Sequence, residues 1–416
     1  MPDFAQNYFD RFQSRPIRIF EKSNKNTGII VVIPCFSEPE ILDSLKSLAD
    51  CEISDKSVEI ITIINFPENA SLDIKKYNID IFRFLESETP KSEHRNLKFF
   101  NILCDNLPVK EAGVGLARKI GMDEALRRFA AIQKPEGIIV GFDADSRVES
   151  NYFFEIFKQF KNIPKTNGCS IYFEHPISGN KFSQEIYNNI TSYELHLRFY
   201  VNALKFINFP YAFQTLGSSF AVRADIYAKQ GGMNRKKAGE DFYFLHKVIP
   251  LGHFYNLNST CVIPSPRISD RVPFGTGAAI AKMKTAGETD FQTYNFNSFK
   301  GLKHFFEQIP DLFSGKSAEI SEESLNSFLK SNNFEKDLVQ IKNQSPNLQT
   351  FTKRFFDWFN AFRVMKYLNF AHETNFQRQN TTEASKQLLS ETDIDFNTNS
   401  PTKELLELFR KIDRNL

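Results

Sequence analysis

Apolar residues along this chain come in short unbroken runs, separated by stretches of helical periodicity. Ile29 to Ile33 reads I-I-V-V-I, and continuous rather than alternating apolarity marks a strand buried on both faces of a parallel sheet. Pro34 closes the run. Ser37-Glu38-Pro39-Glu40 then reads as a helix start, with Ile41, Leu42, Leu45 and Leu48 at helical spacing behind it. Val58 to Ile64, Leu97 to Leu103 and Gly137 to Phe142 are further strands, with a helix at Leu116 to Phe129 before the last of them. Helices are expected at Asn151 to Phe160, Phe182 to Phe206 and Glu240 to Val248, and strands at Cys169 to Phe173 and Phe220 to Val222. This alternation predicts an α/β domain around a mixed, mostly parallel sheet flanked by helices.

Beyond Lys284 the spacing changes. Phe305, Phe306, Leu312, Leu325, Phe328, Leu329, Phe355, Phe359, Phe362 and Leu368 fall at helical intervals among polar residues, so the last third is expected to be helical. Asn375 to Thr402 reads as a loose polar connection before an amphipathic turn at Leu405 to Ile412. The expected organisation is an N-terminal extension over 1–27, an α/β domain over 28–284 and a helical C-terminal region over 285–416.

Charge narrows the partners. Lys plus Arg number 52 against 50 Asp plus Glu, a net charge of +2 that excludes a dedicated nucleic-acid binder. Five cysteines without a C-x-x-C pair fit reduced thiols and a cytoplasmic location. Met1 to Phe20 carries Asp3, Asp10, Arg11, Arg15 and Arg18, unlike a signal peptide, and no apolar run approaches the roughly 18 residues a spanning helix needs. The 44 Phe against 13 Tyr and one Trp are read as compositional bias ahead of function.

The richest stretch chemically is Gly137 to Asn151, G-I-I-V-G-F-D-A-D-S-R-V-E-S-N, where a strand runs into Asp143 and Asp145. At positions i and i+2 of an extended chain the two carboxylates project to one side. Either they hold a hard divalent cation such as Mg2+ or Mn2+, or they form an acidic turn before the helix at Asn151. Open α/β sheets bind ligands beyond the carboxyl ends of their strands, which favours the first reading. Glu240-Asp241 opens another helix, where an acid also has a plain capping explanation.

Four stretches in order, V-V-I-P-C-F-S-E, G-V-G-L-A-R-K-I-G, F-D-A-D-S and G-S-S-F-A-V-R followed by G-G-M-N-R-K-K-A-G-E-D-F, resemble family 2 glycosyltransferases of the GT-A fold. The resemblance covers Gly28 to His253 and implies a Rossmann-like GT-A domain. It implies transfer of a sugar from a nucleotide sugar, UDP- or GDP-linked, to a hydroxyl of a glycan or lipid-linked acceptor, as in cell-surface polysaccharide synthesis. By resemblance Asp241 is the base of an inverting displacement, and Glu240 binds the acceptor or positions its neighbour. Asp143 and Asp145 hold Mn2+ or Mg2+, and with Ala144 they meet the nucleotide sugar. Pro34, Phe36, Glu38, Asn65 and Arg118 belong to the same donor site, and Gly217 and Ser218 to the acceptor side. Physically, Phe36 can stack on a base and Glu38 can accept its hydrogen bonds, although Glu38 also suits a helix N-terminus. Arg118 is a diphosphate or base contact, or else a solvated arginine on a helix surface.

Two departures stand out. Ile64-Asn65-Phe66-Pro67 replaces an Asp-rich turn of the D-D-G-S type, which leaves base identity open. Pro264-Ser265-Pro266 stands where many members carry a metal-binding histidine, and His253 comes about ten residues too early. Arg267 to Gly277 reads either as a lid gripping phosphate through Arg271, local amides and Arg267, or as an ordered surface loop. The Phe-rich C-terminal helices fit packing or a homodimer better than a peripheral contact at the inner face of a membrane. The competing functions are a non-catalytic binding or scaffold protein and a sugar-phosphate nucleotidylyltransferase. The latter lacks its glycine-rich loop here, since Pro34 to Pro39 contains no glycine.

Overall fold

A computed structural model describes residues 4–12, 16–88, 90, 96–269, 275–287 and 290–415. One mixed sheet contains β1 (Thr27–Cys35), β2 (Ser57–Pro67), β3 (Leu97–Leu107), β4 (Ile138–Gly141), β5 (Arg147–Val148), β6 (Gly168–Phe173), β7 (Phe220–Arg223) and β8 (Phe254–Ile263). Their spatial order is β3-β2-β1-β4-β7-β6-β8-β5. β3, β2, β1 and β4 are parallel, with Val31 of β1 between Ile60 and Val140. β7 is antiparallel to both β4 and β6, while β6 and β8 are parallel. The helices Ile41–Ala49, Leu72–Ser87 and Val114–Ala131 make the crossovers that parallel neighbours require.

This is the α/β class the apolar pattern predicted, with a helical C-terminal region as expected. β1 and β2 are buried almost throughout, which is why they read as unbroken Ile and Val runs. Helix Leu72–Ser87 buries only Asn78 and Leu85, so its periodicity was too weak to read. The loose connection expected over Asn375 to Thr402 contains instead the helix Thr381–Ser390. Its buried face includes Thr381, Ala384 and Ser385, small or polar residues that give little apolar signal.

The chain forms two compact units, Met1–Pro176 with Thr215–Ala278, and Ile177–Gln214 with Ala279–Leu416. Helix Gln184–Phe206, inside the 28–284 span read from sequence, thus groups with the C-terminal helices. Within the second unit Phe305, Phe306, Phe328, Phe334, Phe355 and Phe359 interlock, with ring centroids 5.2 to 6.4 Å apart. Periodic Phe here is core. In the basic and aromatic run Lys353 to Arg363, Phe355, Phe356 and Phe359 are buried, and Trp358 donates to Asp337 at 2.6 Å. No helix among the described residues is long and apolar enough to cross a membrane. All five cysteines are buried free thiols.

Candidate active site

The chain leaves β1 in one direction to build β2 and β3, then returns across it to build β4. That reversal makes the carboxyl ends of β1 and β4 the switch point at which open α/β sheets bind ligands. Pro34 and Phe36 are half-buried there, one inside and one just beyond the end of β1. Ser37 turns the chain with a positive φ of 48°, and Asn78 holds the turn, accepting from the Ser37 amide at 2.8 Å and donating to its hydroxyl at 3.0 Å. Glu38 is thereby buried, and its Oε1 accepts the Glu40 amide at 2.9 Å.

Beyond β4, Ser44 Oγ donates to the Ala144 carbonyl at 2.7 Å and pins the turn that carries Asp143 and Asp145. Each carboxylate meets its own arginine. Arg118 Nη2 donates to Asp143 Oδ1 at 2.8 Å, while Arg267 donates to Asp145 Oδ2 from Nε at 3.1 Å and from Nη2 at 3.0 Å. Arg267 Nη2 also donates to Glu38 Oε2, so one guanidinium ties the ends of β1 and β4 together. The pair is therefore no capping turn for the helix Tyr152–Asn162, whose cap Asn151 makes no side-chain cap bond.

Arg118 is the hub. It projects from helix Val114–Ala131 and is only 2 % exposed, which removes the reading of a solvated surface arginine. Its Nε donates to Glu240 Oε1 at 3.0 Å and its Nη1 to the Gly217 carbonyl at 2.6 Å. A Cβ on Gly217 would lie 2.5 Å from Arg118 Nη2 and 3.1 Å from Asp241 Oδ2, so this close approach needs glycine. Ser218 is buried beside it, its hydroxyl 3.2 Å from that of Ser219. Glu240 and Asp241 occupy the first turn of helix Glu240–Val248, where the helix dipole favours negative charge.

Arg118, Asp143, Glu240, Asp241 and Gly217 thus converge, with Glu38, Asp145 and Arg267 alongside. Asn65 lies near the end of β2, buried, and its Oδ1 has no hydrogen-bond partner among the described residues. Arg271 lies outside the described residues. His253 is exposed at the start of β8, the opposite end of that strand from Ile263, and plays no part in the cluster. Sequence reasoning undervalued Arg267, which had only an auxiliary lid role. Its signal was a basic residue three positions past the Pro264 that ends the strand run.

Among the described residues five carboxylates here face two guanidiniums, and three of the acids, Asp145, Asp241 and Glu38, are raised. Burial and the charge of Asp143 outweigh Arg267 and push Asp145 up to about 7. Burial and the charge of Glu240 likewise outweigh Arg118 and raise Asp241. Glu38 is raised by burial. Neither Asp143 Oδ2 nor Asp145 Oδ1 accepts a hydrogen bond from the described residues, and Asp143 keeps 39 % of its side chain exposed. Those two oxygens suit a hard divalent ion that takes its remaining ligands from water and phosphate. Among the described residues no three His, Cys, Asp or Glu side chains gather into a fuller ligand set.

No family model and no curated protein matches the chain. Solved structures of S. aureus TarS are similar to it. TarS residues 1–349 in complex with UDP-GlcNAc share 12 % identity over 94 % of this chain and 89 % of that one, at a TM-score of 0.40. The same fragment with UDP gives 12 % identity over 94 % and 88 %, at 0.34. The longer S. aureus TarS structure gives 12 % over 93 % and 54 %, at 0.33.

Proposed function

We propose that the chain is a nucleotide-sugar-dependent glycosyltransferase acting in the cytoplasm on a glycan or lipid-linked hydroxyl. One observation carries this reading. At the β1/β4 switch point an excess of carboxylates, two of them placed for a cation, adjoins a helix N-terminus bearing a carboxylate of raised pKa. Asp241 takes the proton of the acceptor hydroxyl, whose oxygen attacks the anomeric carbon. The bond from that carbon to the diphosphate breaks on the opposite face and its electron pair leaves with the phosphate, inverting configuration. A base titrating nearer neutrality than an ordinary Asp is better matched to this proton transfer.

Asp143 and Asp145 would hold Mn2+ or Mg2+, which supplies neutralising charge to the diphosphate. Arg267, already poised across the two strand ends, is the side chain that can turn from Glu38 and Asp145 to the phosphates. Asn65 Oδ1 can accept a ring N–H of the base, Phe36 can stack on it, and Arg118 holds Asp143 and Glu240 in place. Gly217 and Ser218 form the acceptor side with Glu240. The test is thermal stabilisation by UDP, GDP, dTDP and CMP and their sugar conjugates, with and without Mn2+. Stabilisation by one class, strengthened by metal and lost when Asp143 and Asp145 become Ala, supports the reading. A folded protein that responds to none of them overturns it.

A further inference from the structure

The segment before β1 lies outside the motif-bearing stretch, yet it is tied to two of the elements that deliver the site. Helix Gln6–Phe12 buries Tyr8, whose Oη donates to Asp123 Oδ1 at 2.6 Å. Tyr227 Oη donates to the same oxygen at 2.7 Å, and Lys119 Nζ donates to Tyr8 Oη at 2.7 Å while pairing with Asp123 at 3.0 Å. Lys119 and Asp123 belong to the helix that carries Arg118. Farther along, the Arg18 amide donates to Glu124 at 3.4 Å and Arg128 Nη1 donates to the Glu21 carbonyl at 2.8 Å. The segment therefore binds this helix at three levels, and at the first of them Tyr8, Lys119 and Asp123 are buried groups that would be costly to leave unpaired.

Helix Gln6–Phe12 also meets the turn from which the chain runs to Glu240 and Asp241. Gly232 has a φ of 65°, and a Cβ there would collide with Tyr8 Oη; a Cβ on Gly231 would lie 3.1 Å from the Phe12 ring. At the other end of the same loop, a Cβ on Gly115 would collide with the Lys236 carbonyl and come 3.1 Å from Glu240 Cβ. The loop is thus seated between Tyr8 and the first turn of the Arg118 helix, with all of these residues in one compact unit.

We infer that Tyr8 and Asp123 are positioning residues, through which the N-terminal segment sets the placement of Glu240 and Asp241 against Arg118. Its catalytic consequence rests on the proposed glycosyl transfer; its mechanical part does not. Misplacing a reacting group by about 1 Å can cost on the order of 100-fold in rate.

The experiment compares the full chain with Tyr8→Phe and Gly232→Ala, by amide hydrogen exchange and by transfer kinetics. Exchange should quicken in the peptides spanning 231–241 and 114–123, and kcat should fall about tenfold with the donor KM within about twofold. Arg198→Ala, which weakens a network in the other unit, serves as the control for a general loss of stability. Unchanged exchange at 231–241 in both variants overturns the inference, as does faster exchange there in Arg198→Ala to the same degree. Faster exchange in the two variants of a protein whose wild type transfers no sugar supports the positioning role and defeats the proposed reaction. Wild-type kcat in both variants confines the segment to a structural role.

Discussion

In the C-terminal unit Glu194 accepts from Arg198 at 2.9 Å and from Arg410 at 2.8 Å, while Asp413 accepts from Arg198 at 2.7 Å. Two carboxylates meet two guanidiniums there, with Lys205 at the edge, 3.3 Å from Asp413. At the ends of β1 and β4, Glu38, Asp143, Asp145, Glu240 and Asp241 stand beside two guanidiniums among the described residues, Arg118 and Arg267. Both networks use the same chemistry in largely buried surroundings. The balanced one satisfies itself and has little to gain from a ligand. The unbalanced one leaves carboxylates whose charged forms are disfavoured, and a cation or a proton relieves it.

The largest effect should come from Asp241→Asn. Transfer should fall by roughly 100- to 10,000-fold in initial-rate assays, while nucleotide-induced stabilisation persists, because the base is lost and the donor site is not. Next, Arg198→Ala should cost about 1–3 kcal/mol in denaturant unfolding, since it leaves the buried Glu194 carboxylate with Arg410 alone and takes the Arg198 guanidinium from Asp413. The two networks should then respond oppositely to neutralising an acid. Asp145→Asn should raise the melting temperature of the ligand-free protein and abolish any metal-dependent gain with nucleotide, whereas Glu194→Gln should lower the melting temperature.

The pH dependence follows from the same imbalance. Asp145, raised from 3.8 to about 7, and Asp241, also raised, hold protons in the folded state that the unfolded chain has released. Stability of the metal-free protein should therefore fall as pH rises from about 4 to about 7 and then level off. Melting curves of Asp145→Asn and Asp241→Asn should each show a shallower fall. The smallest effect is expected from Asn65→Leu, which removes a buried acceptor that has no partner among the described residues. Stability should hold or rise slightly, and nucleotide affinity should weaken about fivefold, equivalent to about 1 kcal/mol for one hydrogen bond.

Much of the frame was legible because it is local. A run such as I-I-V-V-I declares a doubly buried strand, and Asp143 and Asp145 declare a shared face, since strand geometry alone fixes both. The pair Glu240-Asp241 at a helix start was equally readable. Helix Leu72–Ser87 was not, because most of its surface stays in solvent, and Arg118 was ambiguous because a helical arginine reads the same whether buried or exposed.

What local pattern determined here is which segments become strands and helices and which carry acids to a strand end or a helix start. Tertiary structure alone decided the charge balance. Arg118 reaches Glu240 across 122 positions, Arg267 reaches Glu38 across 229, and Tyr8 reaches Asp123 across 115. The same step placed Gln184–Phe206 with the C-terminal helices. Periodicity acts over a few residues through backbone geometry. The pairing and desolvation of charges depend on which distant segments the folded chain brings together.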